Sequence, residues 1–413
     1  MQKDKSTRQR LDRLIDALLP IVAVLLAFAV GGVILWLQGV NPLVAYKAML
    51  VGAFGSKNGW ADTLVKATPL MLVALGIAIA FRGGMINIGA EGQIIVGALL
   101  TTYVGLKLGD TLPGWLVIII GLGAGALAGG IWAAIAGYLK AQLAVNEILS
   151  TIMLNQIAIQ IGFYLLRGPM IDPAELEAGT NIPHSARLPK PVDMPRFTDV
   201  AQWLGFSEKA ADQGIEGYMA ELYGVLVEPT RLHTGFIFAV IMAIIVYIFL
   251  WRTTIGYRIR AVGLNPHASR YAGINVKSTM VLSMTLSGMF AGLAGATEIL
   301  GLHHRMFEPL AVSAGYGFAG IVAALFGKLH PLGIIPSSIL FGGLLVGGDK
   351  MQRAIQTPQV LTQVILGLVV LFVVSTDYFV RRRARKRVSV DDSYDDAEPA
   401  ETPPANPAQE VTA

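Results

Sequence analysis

Ten apolar runs, most of them close to the roughly 20 residues a helix needs to cross a bilayer, set the terms on which this chain can fold. They lie near 17–38, 63–82, 92–108, 114–139, 147–166, 235–251, 279–300, 314–327, 332–347 and 360–380. Of the 413 residues 54% are hydrophobic and 15% charged, and a soluble domain of that size has no way to bury so much apolar surface. The ~10-residue alternating segments of a membrane β-barrel are absent. The expected class is all-α, a polytopic membrane protein of about ten transmembrane helices, some of them short or discontinuous. The run from Ala17 to Leu37 is too long for a signal-peptide core and shows no clear cleavage site, so it reads as a first helix that stays.

Charge then sets orientation. The basic clusters are Lys3, Lys5, Arg8, Arg10 and Arg13, then Arg252, Arg258, Arg260, Arg270 and Lys277, then RRRARKR at 381–387. The positive-inside rule puts all of them, and both termini, in the cytoplasm. Residues 1–16 are then a cytoplasmic segment and 17–380 the membrane domain. Residues 168–234, richer in Asp and Glu than in Lys and Arg, lie outside, with short surface helices expected near 198–213 and 216–227. Residues 253–278 form a cytoplasmic loop. From 381 to 413 the chain is basic, then acidic and Pro/Ala-rich, with nothing to pack; it reads as a disordered cytoplasmic tail.

Several functions are excluded or unsupported. The net charge of +4 is too small and dispersed for nucleic acid. The chain has no Cys, hence no disulfide and no thiolate metal site. No GxxxxGK[ST] loop, HExxH or supported nucleophile constellation occurs, so neither a cofactor nor a metal is expected and the chain does not hydrolyse ATP itself. FGKL at 326–329 and LSG at 286–288 sit within apolar runs. His303-His304 reads as a solvated pair on the outer side.

Four stretches break the apolar pattern. GGMINIGAEGQ at 83–93 places Asn87, Glu91 and Gln93 among glycines between two apolar runs. It is either a wet cytoplasmic turn or a polar break inside the membrane, and both readings stand on periodicity alone. Residues 92–106 as helix supply only ~22 Å against a ~30 Å core, which favours a motif that begins partway in. There Asn87 and Gln93 could meet a polar solute, while Glu91 accepts from backbone N–H groups or from Arg82. NEILSTIMLN at 146–155 sets Glu147, Thr151 and Asn155 four apart on one helical stripe, a path lining or a set of interhelical bonds. Glu298 is one of the few other acids in an apolar run. Residues 313–348 hold two short apolar pieces interrupted by Gly and Pro, the sign of discontinuous helices. In the basic loop 253–278, Asn265-Pro266 is a good helix start and predicts a short helix near 266–272, either docking on a cytoplasmic partner or anchoring at the headgroups.

GGMINIGAEGQIIVGAL, NEILSTIMLN, VGLNPHASRYAGINV, SGMFAGLAGATEILG and the Gly-rich stretch 314–348 together resemble the permease subunits of bacterial ABC importers for simple sugars and nucleosides, within the larger group of ribose and branched-chain amino-acid permeases. The resemblance covers roughly residues 63–375. It implies a multi-pass permease of the bacterial inner membrane that works with a second permease subunit, a cytoplasmic ABC ATPase and an extracytoplasmic substrate-binding protein. It implies a substrate path of Asn87, Glu91, Gln93 and Asn155, to which the polar pattern itself adds Glu147, Thr151 and Glu298, and an ATPase-coupling element over 263–275 with Gly263, Asn265, Pro266, Ala268, Tyr271 and Gly273. An ion-coupled secondary transporter is the alternative; the sparse intramembrane acids and the docking-type loop count against it.

Overall fold

The computed structural model describes residue 22, residues 25–180, 182–206 and 218–356, and isolated positions from 364 to 375. Its elements are helices: α1 Leu25–Leu37, α2 Pro42–Phe54, α3 Lys57–Arg82, α4 Ala90–Leu108, α5 Gly114–Leu143, α6 Glu147–Arg167, α7 Pro173–Ala178, α8 Phe197–Trp203, α9 Tyr218–Val227, α10 Gly235–Arg252, α11 Thr254–Leu264, α12 Pro266–Tyr271, α13 Val276–Glu298, α14 Pro309–Ser313, α15 Tyr316–Phe326 and α16 Pro331–Ile355. Among the described residues the only β-pairing is a single antiparallel bridge, Arg196 to His233. Seven stretches are long and apolar enough to cross a membrane: α3, α5, α6, α10, α13 with the π turn that follows it, α14 with α15, and α16.

α3 is the axis of the bundle. Residues 67–80 are all buried, packed by α13, α15, α16 and α10, while α6 and α10 turn Leu149, Met153 and Ile157, and Ile241, Ile244 and Ile248, outward. In lipid, apolar burial does not drive helices together, so close backbone packing must do it. Gly292 of α13 provides it: a Cβ there would run into the Gly125 carbonyl of α5.

The structure redraws several expected boundaries. α2 was not anticipated, because 13 residues containing Lys47 are too few to read as a crossing; it packs on α16. The expected short piece at 332–347 is wrong: α16 runs 25 residues from Pro331 to Ile355. Asp349, Lys350 and Arg353 look like loop chemistry but lie on its last turns. The other piece is short as expected, α15 being separated from α14 by left-handed Ala314 and Gly315. α8 ends at Trp203, short of the predicted limit, whereas α9 agrees. Residues 1–16, nearly all of 360–380, and 381–413 fall outside the described residues.

Segment 168–234 is strapped to the start of α3. The Lys57 ammonium pairs with Glu228, the Lys57 N–H donates to Glu221 at 2.6 Å, and Trp60 Nε1 donates to the Tyr218 hydroxyl at 2.6 Å. Beneath this strap His233 is 1% exposed, and its Nδ1 accepts from the Gly235 N–H at 3.2 Å. Burial first, then the positive charges of His304 and Arg196, push its pKa down to about 4. A neutral buried His stabilises the fold above the unfolded value near 6.5, and that contribution is lost as pH falls from there towards 4, roughly 3 kcal/mol in all. His233→Asn keeps an acceptor for Gly235 but does not titrate. Thermal unfolding of the purified protein at pH 7.5 and 4.5 should show a smaller acid loss in this variant; an unchanged loss would remove His233 as its source.

Candidate functional site

α3 ends at Arg82, whose Nε donates to the Leu329 carbonyl beyond α15 at 2.9 Å. The chain leaves the helix through Gly83 and left-handed Gly84 and becomes regular again only at Ala90. Asn87 closes this break. Its Nδ2 donates to Gln93 Oε1 and to Ser287 Oγ, each at 2.9 Å. Its Oδ1 accepts from the Gly89 N–H at 2.9 Å and from Gln93 Nε2 at 3.0 Å. Asn155 of α6 clamps the next turn, Oδ1 accepting from Gly92 N–H at 2.8 Å and Nδ2 donating to the Ile88 carbonyl at 3.0 Å. Thr151 packs beside Gly89 and bonds back to its own helix at Glu147.

Glu91 points the other way, into the second break. Gly315, the N-cap of α15, has no side chain to offer, and the first N–H groups of a helix need an acceptor. Glu91 Oε1 supplies it from α4, accepting from Gly317 N–H at 2.8 Å and Phe318 N–H at 3.4 Å, where the helix dipole also favours a negative charge. Gly317 is what allows the approach, since a Cβ there would stand 2.5 Å from the Glu91 nitrogen.

These bonds bear on the reading of 83–93. Asn87, Glu91 and Gln93 are 0%, 5% and 1% exposed, while Ile86 beside them is 39% exposed, so the polar side chains of this stretch are satisfied by protein rather than by solvent. Arg82 and Leu329 lie at one level, and Gly317 stands about 14 Å further along α15; between Arg82 and Glu91 the chain climbs back into the bundle. The length argument that first favoured this was faulty. α4 has 19 residues, not 15, hence about 29 Å, enough for most of a core. Glu91 takes backbone N–H groups, as one alternative had it, and not Arg82. Two residues of the expected path take no part in these bonds with their side chains. Glu147 pairs with Lys140 at 2.8 Å beyond the end of α5, and Glu298 pairs with His303 at 3.3 Å. Ser287 was missed because LSG reads as part of an apolar helix.

At the end of the bundle carrying α11 and α12, Asn265 caps α12 by accepting from Ala268 N–H at 3.0 Å, with Pro266 at the first position, as predicted. α11 was not predicted, and it holds α12 against the membrane break: a Cβ on Gly263 would run into the Arg82 carbonyl. Ala268 is exposed, Tyr271 and Leu264 are 95% and 87% exposed, and Gly273 turns the chain in the left-handed region.

At the opposite end, where 168–234 packs, a cavity of about 550 Å³ opens between α3, α16 and the π turn after α13. Lys66, Asp349, Arg353, Arg196 and His303 are among its walls. The histidine pair is not solvated as the sequence suggested: His303 faces Glu298, and His304 faces Asp193 at 3.0 Å. Burial, opposed by the Asp193 carboxylate, lowers the His304 pKa.

A many-spanning helical bundle with buried polar breaks, a hydrophilic mouth at one end and a projecting helix at the other is the build of a transport protein of the membrane. The family described as branched-chain amino acid transport system, permease component, matches residues 59–374, and the chain belongs to it. The guanosine ABC transporter permease protein NupP of Bacillus subtilis is 34% identical over 372 residues, 89% of this chain and 96% of that one. The glucose ABC transporter permease protein TsgB13 of Haloferax volcanii is 33% identical over 365 residues, 88% of each chain. A second Bacillus subtilis protein, the guanosine ABC transporter permease protein NupQ, is 29% identical over 288 residues, 68% of this chain and 78% of that one. No solved structure matches the chain.

If Glu91 caps α15, removing its acceptor should cost about 2–5 kcal/mol through unpaired N–H groups and a cavity. In thermal unfolding of the detergent-purified chain, Glu91→Ala should melt several degrees lower, and Glu91→Gln, which keeps an amide oxygen, should lie much closer to the unmodified chain. Equal melting of all three would mean the bond to Gly317 does not form.

Proposed function

We propose that this chain is one of two permease subunits of an ATP-binding-cassette importer for a nucleoside or a simple sugar. The observation that carries the reading is the extent of the likeness. Proteins named for guanosine and for glucose match 89% and 88% of this chain, and the family match spans both breaks and the α11–α12 element. That one organism has two similar chains named for the same solute supports a pair of unlike permeases. Transport is powered by a separate cytoplasmic ATPase, and an extracytoplasmic binding protein delivers the solute to the end that carries 168–234.

In this reading Asn87, Glu91, Gln93, Thr151 and Asn155 support the path. With Asn87 and Gln93 bonded to each other and Glu91 and Asn155 bonded to backbone across the breaks, this conformation is a closed one, and transport requires the two breaks to part. Glu147 with Lys140 borders the cytoplasmic side; Glu298 with His303 borders the mouth. Gly263, Asn265, Pro266, Ala268, Tyr271 and Gly273 form the ATPase contact. Exposed Leu264 and Tyr271 favour a protein groove there, because large apolar side chains mark contact surfaces.

The test is uptake of labelled guanosine and glucose by cells carrying this chain with its partner permease, ATPase and binding protein. Ala268→Arg places a bulky charge on the exposed face of α12. It should lower co-purified ATPase and uptake together while leaving thermal unfolding of the chain unchanged. Normal ATPase recovery and uptake would reduce α12 to an anchor on lipid headgroups.

A further inference from the structure

A second hollow lies away from the two breaks. It is a groove of about 240 Å³ between α8, α9 and the start of α10, lined by Phe197, Val200, Leu204, Phe206, Leu226 and Ile237 among others, and by no charged side chain among the described residues. The carboxylates of the two short helices are engaged elsewhere: Asp199 accepts from the Arg196 N–H at 2.9 Å, and Glu221 from the Lys57 N–H. The length of α10 sets the level of the groove. Its 18 residues from Gly235 to Arg252 make a helix of about 27 Å, no longer than the ~30 Å hydrocarbon core. With Arg252 at one edge of that core, Gly235 lies at or inside the other, and the groove residues Thr234 and Ile237 stand on either side of it. α9 is held at the same depth. Val225 of α9 and Leu232 just after it share a buried cluster with Ala61 and Val65 of α3, and Phe197 and Phe236 pack against that cluster.

We propose that this groove seats an acyl chain of a phospholipid from the leaflet on that side, and that α8 and α9 lie in the membrane interface instead of above it. The groove is continuous with the lipid-facing side of the bundle. Ile237, Ile241, Ile244 and Ile248 are all exposed and recur three and four residues apart, so they form one stripe of α10 running from the groove past the middle of the span. At the rim Trp203 is 84% exposed, with Leu204 and Phe206 exposed beside it. Aromatic side chains of this kind collect where a membrane meets water, and a contiguous apolar patch marks a contact surface. The lining has no charge with which to hold a headgroup, so the part of a lipid it fits is the chain. The seat also bears on the mouth. Arg196, the N-cap of α8, is one of the cavity walls there, and a chain held under α8 keeps that wall in place. This inference needs the membrane location of the protein and not the identity of its solute.

The chain has no cysteine, so Leu204→Cys accepts a single fluorescent label, and Leu204 is exposed enough to be replaced without disturbing the core. Ile244→Cys, near the middle of α10, is the reference site. The full chain is placed in phosphatidylcholine bilayers that carry a nitroxide on the acyl chain, either close to the glycerol or close to the methyl end. The label at 204 should be quenched more by the glycerol-end nitroxide, the label at 244 more by the methyl-end one, and iodide in the water should quench neither strongly. Val200→Phe and Leu226→Phe narrow the groove from opposite walls. In whichever of them keeps the thermal unfolding of the parent, quenching at 204 should fall, by about 4-fold in chain occupancy for each methylene displaced. Strong iodide quenching at 204 without nitroxide quenching means that the groove faces water or is closed by residues 207–217. Quenching that is lost once the other transporter subunits are added means that a protein partner covers it. Quenching that neither narrowing substitution changes means that lipid passes by without being seated. Each of these three results overturns the inference.

Discussion

A carboxylate on one helix caps the start of another, and the interior of this protein is arranged around that bond. α15 begins inside the bundle after two left-handed residues, and its N-cap Gly315 has no side chain to satisfy its first N–H groups. Glu91 does so from the first turn of α4. The same carboxylate would be costly at membrane depth without partners, so each break makes the other tolerable. Irregular backbone survives there only where protein or a wet path satisfies it. The Asn87–Gln93–Ser287 bonds and the Asn155 clamp complete the accounting on the α4 side.

The breaks are also connected to both ends of the molecule. Towards the projecting helix, Gly263 of α11 lies against the backbone of Arg82 and Gly84, with no side chain between to absorb a displacement. Arg82 in turn lies over Trp251, 4.8 Å from its ring centroid, and donates to Leu329. Towards the cavity, Lys66 of its wall stands 5.5 Å from the ring centroid of Tyr316, the residue that precedes the Gly317 N–H held by Glu91. In the proposed transport cycle a push on α12 therefore acts directly on the backbone of the first break.

Membership of the helical class, the short helix with its Asn265-Pro266 start, and the polar character of 83–93 were legible in the sequence, because each depends on local chemistry: apolar length, capping and residue type. The partners of Glu91 were not. Nothing local links residue 91 to residue 317, and Gly317 contributes only a backbone N–H, which no side-chain pattern records. Ser287 was hidden for a related reason, since one hydroxyl in an apolar helix is cheaply self-satisfied and gives no signal. Helix α16 was cut short because the apolar run ends before Asp349, Lys350 and Arg353, which continue the helix into the wall of a polar cavity. His303 and His304 looked solvated because the carboxylates that face them, Glu298 and Asp193, lie on other turns.

The central claim is that the contact between Glu91 and the start of α15 is closed at rest and opens during transport. Amide hydrogen exchange of Gly317 and Phe318 in the assembled transporter reads that contact directly. The account predicts strong protection without nucleotide and markedly faster exchange at these two amides during ATP turnover with solute, while the middle of α3 stays protected. Equal protection of Gly317 and Phe318 in both states would contradict it.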